Sequence, residues 1–186
     1  NFTFFLDDPV NGDMINQRET RNVWGYNTTA AKSYLMGNSK AATELGAGFR
    51  HDDVMDIELS KATRNTFFNS IQKGDIKETN FYAWANQEIE LSNKLNLTVA
   101  LRYDHFTFRY KDELAGNTDF KKQTKGIISP KLNLSYNINS KARLYLNNGI
   151  GFHSNDTRVI LDNSADDILP RVIGTDLGII LKPNKK

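Results

Sequence analysis

The chain of 186 residues contains no cysteine, 4 prolines and 3 histidines. Without cysteine it cannot be a disulfide scaffold, and it cannot hold a metal through thiolate ligands. The histidines are scattered, and the sequence shows neither a nucleophile motif nor a phosphate-binding glycine loop. We therefore expect a protein that is not an enzyme and that carries no cofactor.

Long apolar runs are also missing, and the mean hydropathy is −0.55. A transmembrane helix needs about 20 consecutive apolar residues, so membrane helices are excluded. The formal net charge is +2 and no basic block stands out, so nucleic acid is not an expected partner. A membrane β-barrel is compatible with low hydropathy, because only every second strand residue faces lipid.

Short polar turns built from Asn, Ser and Lys recur along the chain, 45 to 54 residues apart. Alternating apolar and polar residues flank them, which is typical of half-buried strands. Each interval has room for two long strands and one long loop. Short turns on one side and long loops on the other are typical of outer-membrane β-barrels. The turns are centred at Ser39, Asn93, Ser140 and Lys185.

The alternation predicts an all-β fold, an antiparallel up-and-down meander of about eight long strands. A long connection, 52–77, follows the third strand, and a short helix is expected in it at about 57–68. In the fifth strand the apolar alternation shifts by one residue, which predicts a β-bulge near Asp104 and His105. Pro130 is expected at a strand end or bulge. The predicted strands are 2–6, 19–35, 42–51, 78–91, 95–110, 126–138, 143–153 and 171–181.

The length of the predicted strand 95–110 favours a membrane protein. Strands in soluble proteins are mostly about 5–6 residues long. This strand would span about 50 Å and, tilted by about 45°, would rise more than the ~25 Å apolar band of an outer-membrane barrel. We expect Leu97 and Leu134 to face lipid. We expect Phe106, Phe108 and Tyr110 to lie at or above the outer membrane interface, where aromatic girdles occur.

Five segments, in the same order, resemble the barrel of TonB-dependent outer-membrane receptors. One of them is the strand that contains Leu101-Arg102-Tyr103-Asp104, which is similar to a recurrent strand of that family. The resemblance covers about 100 residues of the last two-thirds of the chain. The segments are 83–91, 95–104, 129–134, 151–156 and 177–183.

The resemblance implies a 22-stranded barrel in the bacterial outer membrane, with short periplasmic turns, long extracellular loops and an amino-terminal plug. Such receptors import ligands with energy delivered by TonB. The implied partners are outer-membrane lipid, TonB through the plug, and an imported nutrient. The nutrient could be a ferric chelate, a cobalamin-like cofactor, a glycan or a peptide. A surface lipoprotein is a further possible partner. The chain, 1–186, is expected to be a partial barrel domain without the plug, the TonB box and the final strand.

Two other functions stay open on the residues alone. A soluble all-β binding module, such as a carbohydrate-binding sandwich, shows the same alternation in its core. A passive porin-like barrel would share the strands and turns but would have no plug.

Candidate ligand contacts are His153, Asn155, Asp156 and Arg158, which in the resembled family would lie at the mouth of an outer loop. The same residues could fix the loop geometry, because Asn and Asp side chains stabilise turns.

Two further polar groups have mainly structural interpretations. His51, Asp52 and Asp53 could bind a divalent cation, but a solvated strand end is preferred, so no metal site is predicted. Arg102 and Asp104 share the polar face of the fifth strand and are expected to form ion pairs there. The predicted partners of Arg102 are Glu88 and Glu90 on the fourth strand.

Overall fold

The computed structural model describes residues 2–4, 9, 10, 12–63, 66–154, 157 and 168–182. Within these residues the chain forms one antiparallel sheet of eight strands, ordered along the sheet as along the sequence. This is the predicted up-and-down meander. The same residues contain no helix with the length and apolarity needed to cross a membrane. The strands are β1 Phe2–Phe4, β2 Asp13–Met36, β3 Ser39–Thr63, β4 Thr66–Glu90, β5 Leu95–Asp112, β6 Lys121–Asn139, β7 Ala142–Phe152 and β8 Arg171–Leu181.

Strands β2, β3 and β4 are much longer than predicted, with 24, 25 and 25 residues. At ~3.3 Å per residue they span about 80 Å, so even at a tilt of about 45° they rise roughly twice the height of the ~25 Å apolar band. The predicted connection 52–77, with its helix at 57–68, is wrong. β3 and β4 pair there from Val54↔Ile76 to Thr63↔Thr66. The region resembled a loop in sequence because its strands carry many polar residues on both faces.

Three of the four predicted short turns are present. Gly37 takes a left-handed φ of 61° in the β2–β3 turn, which glycine adopts at little cost. The hydroxyl of Ser92 accepts a hydrogen bond of 3.1 Å from the backbone N–H three residues later. Asn139 Oδ1 accepts one of 2.8 Å from the N–H of Lys141. Such local bonds explain why Asn and Ser recur in these turns. The fourth predicted turn, at 184–186, lies outside the described residues.

One face of the sheet is apolar and uncovered. On it Leu97 pairs directly with Leu134, and Val99 with Leu132. The described residues form a single sheet, so neither a second sheet nor a helix layer packs against this face. A soluble sandwich would bury it, whereas lipid solvates it. Side chains of this face that are more than half exposed include Leu45, Phe81, Leu101, Ile128, Ile173, Leu177 and Ile179.

Aromatic side chains mark two levels of this outward face. Trp24 packs on Phe49 with ring centroids 5.5 Å apart, and Phe49 lies 5.8 Å from Phe81. Tyr34 and Tyr136 lie near the short turns, and Trp24 and Tyr34 are ten residues apart on β2. That separation is about 33 Å along the strand and about 23 Å in height at a 45° tilt, close to the ~25 Å expected of a barrel. We call the outward face between these levels the apolar band.

The bulge predicted within β5 is wrong. β5 pairs with β4 and β6 in unbroken register through residues 96–110. Phe106, Phe108 and Tyr110 therefore share the inward face with Asp104, and all four side chains are buried. These three aromatics lie above the apolar band but point inward, so the aromatic girdle is formed by outward side chains such as Trp24, Phe49 and Phe81.

Above the apolar band, the sheet is apolar on its inward face. Phe106 and Phe108 stack with their planes 3° apart, and they pack with Ile127, Ile168 and Leu169. Ile168 and Leu169 belong to the β7–β8 connection, part of which therefore folds over the inward face. A second inward cluster consists of Val54, Ile57, Ile76 and Tyr110. The shift of apolar alternation in β5 thus marks the point where the strand leaves the lipid.

A register shift occurs in the upper part of β3, between Val54 and Ile57. Asp56 takes a left-handed φ of 52° at this bulge. Its backbone N–H donates a 3.1 Å hydrogen bond to the carboxylate of Asp75 on β4. Asp tolerates this conformation better than most residues, and the carboxylate satisfies the donor that the bulge removes from the ladder.

Pro130 lies inside β6, paired with Leu101 of β5. The ladder between β6 and β7 begins only at Lys131. Pro130 is therefore neither at a strand end nor at a bulge, but next to the end of one ladder. Its missing N–H removes no hydrogen bond from a ladder on that side.

We predict that Val99→Lys weakens the folded protein in the membrane by about 2–4 kcal/mol, because position 99 lies midway along the apolar band. Resistance of the folded form to heat in detergent, followed by gel mobility, measures the effect. Thr98→Lys is the matched control, since Thr98 faces inward opposite Glu88. Equal damage from both substitutions would contradict the face assignment.

Candidate functional site

A polar groove lies on the inward face, just above the level of the apolar band. Strands β2, β3 and β4 form its wall, and Ser154 and Thr157 of the β7–β8 connection lie on its other side. Its volume is about 480 Å³. The polar residues occur at every second strand position, which is why their side chains share one face. The lining consists of Gln17, Glu19, Arg21, Arg50, Asp52, Val54, Ile57, Ile76, Glu78, Asn80, Phe106, Ser154 and Thr157.

Asp52 is held by arginine on two sides. Arg50, two residues earlier on the same strand, donates from Nε and Nη2 to the two carboxylate oxygens at 2.7 and 2.8 Å. Arg21 of the neighbouring strand approaches Asp52 to 3.8 Å and Glu19 to 3.0 Å. The hydrogen bonds from Arg50 keep the pKa of Asp52 below its ordinary value. Asp52 therefore stays ionised at neutral pH.

Glu78 lies opposite Asp52 in the β3–β4 ladder and has a different environment. Burial raises the pKa of Glu78, and the nearby charge of Asp52 adds to the shift. Thr157 Oγ1 donates a hydrogen bond of 3.3 Å to Glu78 Oε2, which ties the β7–β8 connection to the sheet. The groove therefore places a firmly ionised carboxylate beside one that accepts a proton more readily.

A second arginine–aspartate pair with the same spacing lies lower on the inward face. Arg102 donates to both carboxylate oxygens of Asp104 at 2.7 Å, and Asn80 Nδ2 donates to Asp104 at 3.1 Å. The Asp104 side chain is fully buried. Arg102 also stacks over the ring of Tyr82 at 4.2 Å. These contacts lock the polar wall in one conformation.

The predicted partners of Arg102 on β4 are wrong. Its ion pair is with Asp104 of its own strand. Glu90 instead pairs with Lys40 at 3.5 Å. Arg102 lies opposite Trp84 in the β4–β5 ladder, whereas Glu88 lies opposite Thr98. That offset along the strands separates Arg102 from both glutamates.

The structure describes one of the four predicted ligand contacts. His153 follows the end of β7, and its backbone N–H donates to the carbonyl of Pro170 at 3.4 Å. Its exposed side chain borders a second hollow with Lys131 and Asp176, apart from the groove described above. Asn155, Asp156 and Arg158 lie outside the described residues. Their ligand-binding role stays a prediction.

His51, Asp52 and Asp53 do not converge: Asp52 points to the inward face, and His51 and Asp53 on the outward face have separate partners. His51 Nδ1 is hydrogen-bonded to Thr79 Oγ1 at 2.7 Å, and Asp53 lies 3.6 Å from Lys77 Nζ on the outward side. In the part of the chain that the structure describes, no three His, Asp or Glu side chains are grouped to hold a metal. The three residues lie in the interior of β3. The expectation of a solvated strand end is therefore wrong.

Sequence reasoning missed Arg21, Arg50 and Glu78 as site residues. Arg21 and Arg50 lie inside predicted strands, where they resembled ordinary polar positions. Glu78 begins the predicted fourth strand, next to the segment wrongly assigned to a loop. The sequence signal for them was polar residues at every second strand position. The pairing of β2, β3 and β4 was needed to show that these residues lie together.

Comparison with known proteins identifies the family. A family model described as TonB dependent receptor-like, beta-barrel, matches residues 1–170. The chain belongs to the family of TonB-dependent receptors. These are proteins of the bacterial outer membrane. No curated protein matches the sequence.

Solved structures of TonB-dependent receptors share the fold at low sequence identity. The ferric citrate transporter FecA, in its unliganded form, has a TM-score of 0.63 and 14% identity over 76% of this chain and 22% of its own. The ferric-catecholate import receptor Fiu from E. coli K12 has a TM-score of 0.65 and 11% identity, over 88% of this chain and 29% of its own. The ferric yersiniabactin uptake receptor FyuA from Yersinia pestis has a TM-score of 0.61 and 13% identity, over 92% of this chain and 28% of its own. The chain thus spans less than a third of each receptor's length.

The pKa shifts in the groove of this TonB-dependent receptor predict how its stability depends on pH. A raised carboxyl pKa contributes stability that is present below the unfolded pKa of about 4.3 and is lost as pH rises through the folded value. Glu78 should therefore make the protein more stable at pH 5 than at pH 7.5. Asp52, with its lowered pKa, contributes stability that is lost only below about pH 4.

Glu78→Gln should flatten the stability difference between pH 5 and pH 7.5, because it removes the shifted group. The measurement is the temperature of heat-induced unfolding in detergent across that range. Glu88→Gln, lower on the inward face, serves as the control. A Glu78→Gln protein that keeps the full slope would contradict the assignment.

Arg102→Met should destabilise the receptor by about 3 kcal/mol, because Asp104 would keep its buried charge without its main partner. This value is the lower end of the destabilisation expected when one partner of a buried ion pair is removed, because the Arg102 side chain is 40% exposed. The double variant Arg102→Met, Asp104→Asn should recover much of the loss. Urea-induced unfolding measures both variants, and a double variant as unstable as the single one would contradict the argument.

Proposed function

We propose that this chain forms part of the wall of a larger β-barrel through which a TonB-dependent receptor imports a nutrient across the outer membrane. The observation that carries the proposal is the two-sided sheet. Its outward face has an apolar band about as high as the hydrocarbon layer, and its inward face carries hydrogen-bonded arginine, aspartate and asparagine. A wall of this kind separates lipid from a polar interior.

Strand edges support the larger assembly. In the described residues β8 pairs only with β7, and most of β2 pairs only with β3. Unpaired edges expose rows of backbone donors and acceptors, which barrels satisfy by closing on themselves. We therefore propose that further strands complete a barrel of the family's 22-stranded type, filled by a plug that contacts TonB.

The groove is the proposed ligand-facing surface of this part of the barrel. Its charged side chains are fixed on rigid strands, and its lining combines hydrogen-bonding groups with an apolar patch at Val54, Ile57 and Ile76. Ferric chelates are the first ligand class to test, because the names of FecA, Fiu and FyuA refer to ferric citrate, ferric catecholates and ferric yersiniabactin. A cobalamin-like cofactor, a glycan and a peptide are the other classes.

The proposed loop contacts are His153, Asn155, Asp156 and Arg158, which follow β7 directly in the sequence. Thr157 lies among them and reaches Glu78 in the groove. This contact supports a place for the segment beside the ligand. A surface lipoprotein is a further proposed partner at this side of the membrane.

Uptake by whole cells tests the proposal. The full-length receptor that contains this chain is produced in cells lacking their own ferric-chelate receptors, and accumulation of labelled chelates, cobalamin, oligosaccharides and peptides is measured. We expect saturable uptake of one class that stops when TonB is removed. Uptake that continues without TonB would favour a passive porin-like barrel, and the absence of uptake of every class would contradict import.

Arg21→Ser should raise the half-saturating ligand concentration about tenfold, the loss expected for one charged hydrogen bond. Arg143→Ser is the control, because Arg143 lies near the short turns and donates a 2.7 Å hydrogen bond to Asn137. Equal effects of the two substitutions would exclude the groove as the ligand-facing surface.

A further inference from the structure

The charges in the groove described above are balanced within the sheet itself. Arg50 donates two hydrogen bonds to Asp52, at 2.7 and 2.8 Å. Arg21 lies 3.0 Å from Glu19 and 3.8 Å from Asp52. Each arginine therefore has a counter-charge on its own strand, held in place by the ladder. An anion entering the groove would have to compete with carboxylates that are already fixed beside the arginines.

A third carboxylate gives the groove more acids than arginines. Glu78 lines it, and in the described part of the chain its carboxylate accepts a hydrogen bond from Thr157 but forms no ion pair. Burial raises the pKa of Glu78, so the group is neutral or negative and never positive. The described lining therefore has no surplus of positive charge. Its charged members are Arg21, Arg50, Glu19, Asp52 and Glu78.

Other cations of the inward face lie outside the groove. Lys121 and Lys125 of β6 are opposite Tyr110 and Phe106 of β5. Strand β5 therefore separates them from the wall formed by β2, β3 and β4. Phe106 lines the groove on that side. The wall that the structure describes thus offers no uncompensated cation to a chelate that carries carboxylates.

The hydrogen-bonding capacity that remains in the groove suits hydroxyl groups. A carboxylate has about four acceptor sites, and Arg50 uses two of those of Asp52. Asn80 donates through Nδ2 to Asp104, and its buried Oδ1 accepts no hydrogen bond within the described chain. Such acceptors need donors, which a hydroxyl supplies and an ionised chelate oxygen does not. The uncharged polar residues of the lining are Gln17, Asn80, Ser154 and Thr157.

An apolar surface lies beside these polar groups. Val54, Ile57 and Ile76 line the groove together with Phe106. A sugar ring has hydroxyls around its edge and C–H groups on its faces, so it needs both kinds of surface. The groove volume of about 480 Å³ lies within the range of small-molecule sites, about 300–1,000 Å³.

We propose that the groove binds an uncharged, hydroxyl-rich ligand, an oligosaccharide, and that Glu19, Asp52 and Glu78 exclude anions from it. Repulsion of the wrong ligand contributes to specificity as much as attraction of the right one. The Arg50–Asp52 pair presents donors and acceptors side by side, which matches neighbouring hydroxyls on one ring. This inference rests on the proposed import function, and it ranks the glycan above the ferric chelates among the nutrient classes.

Binding to the purified full-length receptor in mild detergent tests the ligand class. The probes are a panel of neutral oligosaccharides of different linkage, a peptide mixture and, as the anion, ferric citrate. Titration calorimetry measures the affinities at low and at high salt. We expect saturable binding of a neutral oligosaccharide with little dependence on salt, because screening weakens only interactions between charges.

The double variant Glu19→Gln, Glu78→Gln should gain affinity for ferric citrate. Two unit charges about 6 Å apart in water interact strongly enough to change an affinity roughly threefold, so removing both carboxylates should give a gain of about tenfold. Glu88→Gln is the matched control, because Glu88 lies lower on the inward face, opposite Thr98. Heat-dependent gel mobility shows that each variant is folded.

Several outcomes would overturn the inference. They are tighter binding of ferric citrate or peptide than of every neutral oligosaccharide, no binding of any neutral oligosaccharide, and no gain for ferric citrate in the double variant. An equal gain in the Glu88→Gln control would overturn it too.

Uptake by whole cells separates this inference from the proposed function. TonB-dependent uptake of a ferric chelate would support import and overturn the oligosaccharide class. A neutral oligosaccharide that binds the purified receptor but does not enter cells would support the inference and contradict import.

Discussion

A single β-sheet with one uncovered apolar face and one polar face governs the placement of nearly every side chain in this structure. Side chains alternate strictly between the two faces of a strand, so each strand must match two environments at once. Within the apolar band most outward side chains are apolar, as at Leu97, Val99 and Leu101, and the inward face carries Arg102 and Asp104. Beyond the band the arrangement reverses: Lys77 and Arg109 point outward, and Phe106 and Phe108 are buried inside.

The polar inward face requires extensive pairing of its charges. Asp104 is fully buried, yet it accepts hydrogen bonds from Arg102 and Asn80, so its charge is compensated on the sheet itself. The same Arg-x-Asp spacing recurs at Arg50 and Asp52 in the groove. Spacing of two residues along a strand places both groups on one face, where the guanidinium can bind the carboxylate through two hydrogen bonds. Pairs of this kind hold the polar side chains of the wall in fixed positions.

Above the membrane the long strands acquire a core of their own. The apolar cluster around Phe108 includes Ile168 and Leu169 from the β7–β8 connection, and a second cluster surrounds Tyr110. Thr157 from the same connection reaches Glu78, so packing of the connection also shapes the groove. On the outward side the same strands carry charged side chains such as Lys77 and Arg109. One stretch of sheet therefore forms the groove wall on one side and a charged surface on the other.

The meander, its short turns and the apolar side of the sheet could be predicted from the sequence alone, because period-two alternation and Asn-Ser-Lys turns are local patterns. Leu97 and Leu134 lie on the uncovered apolar face as expected. Only the tertiary structure decided where the strands continue, as at 52–77, and which residues meet in the groove. Those features depend on pairing between distant strands, such as Asp52 with Glu78, and local polarity does not encode that pairing. The shifted alternation at Phe106 shows the reason. The same pattern fits a β-bulge or a change in which face of the strand is buried. Only the register with the neighbouring strands distinguishes these two explanations.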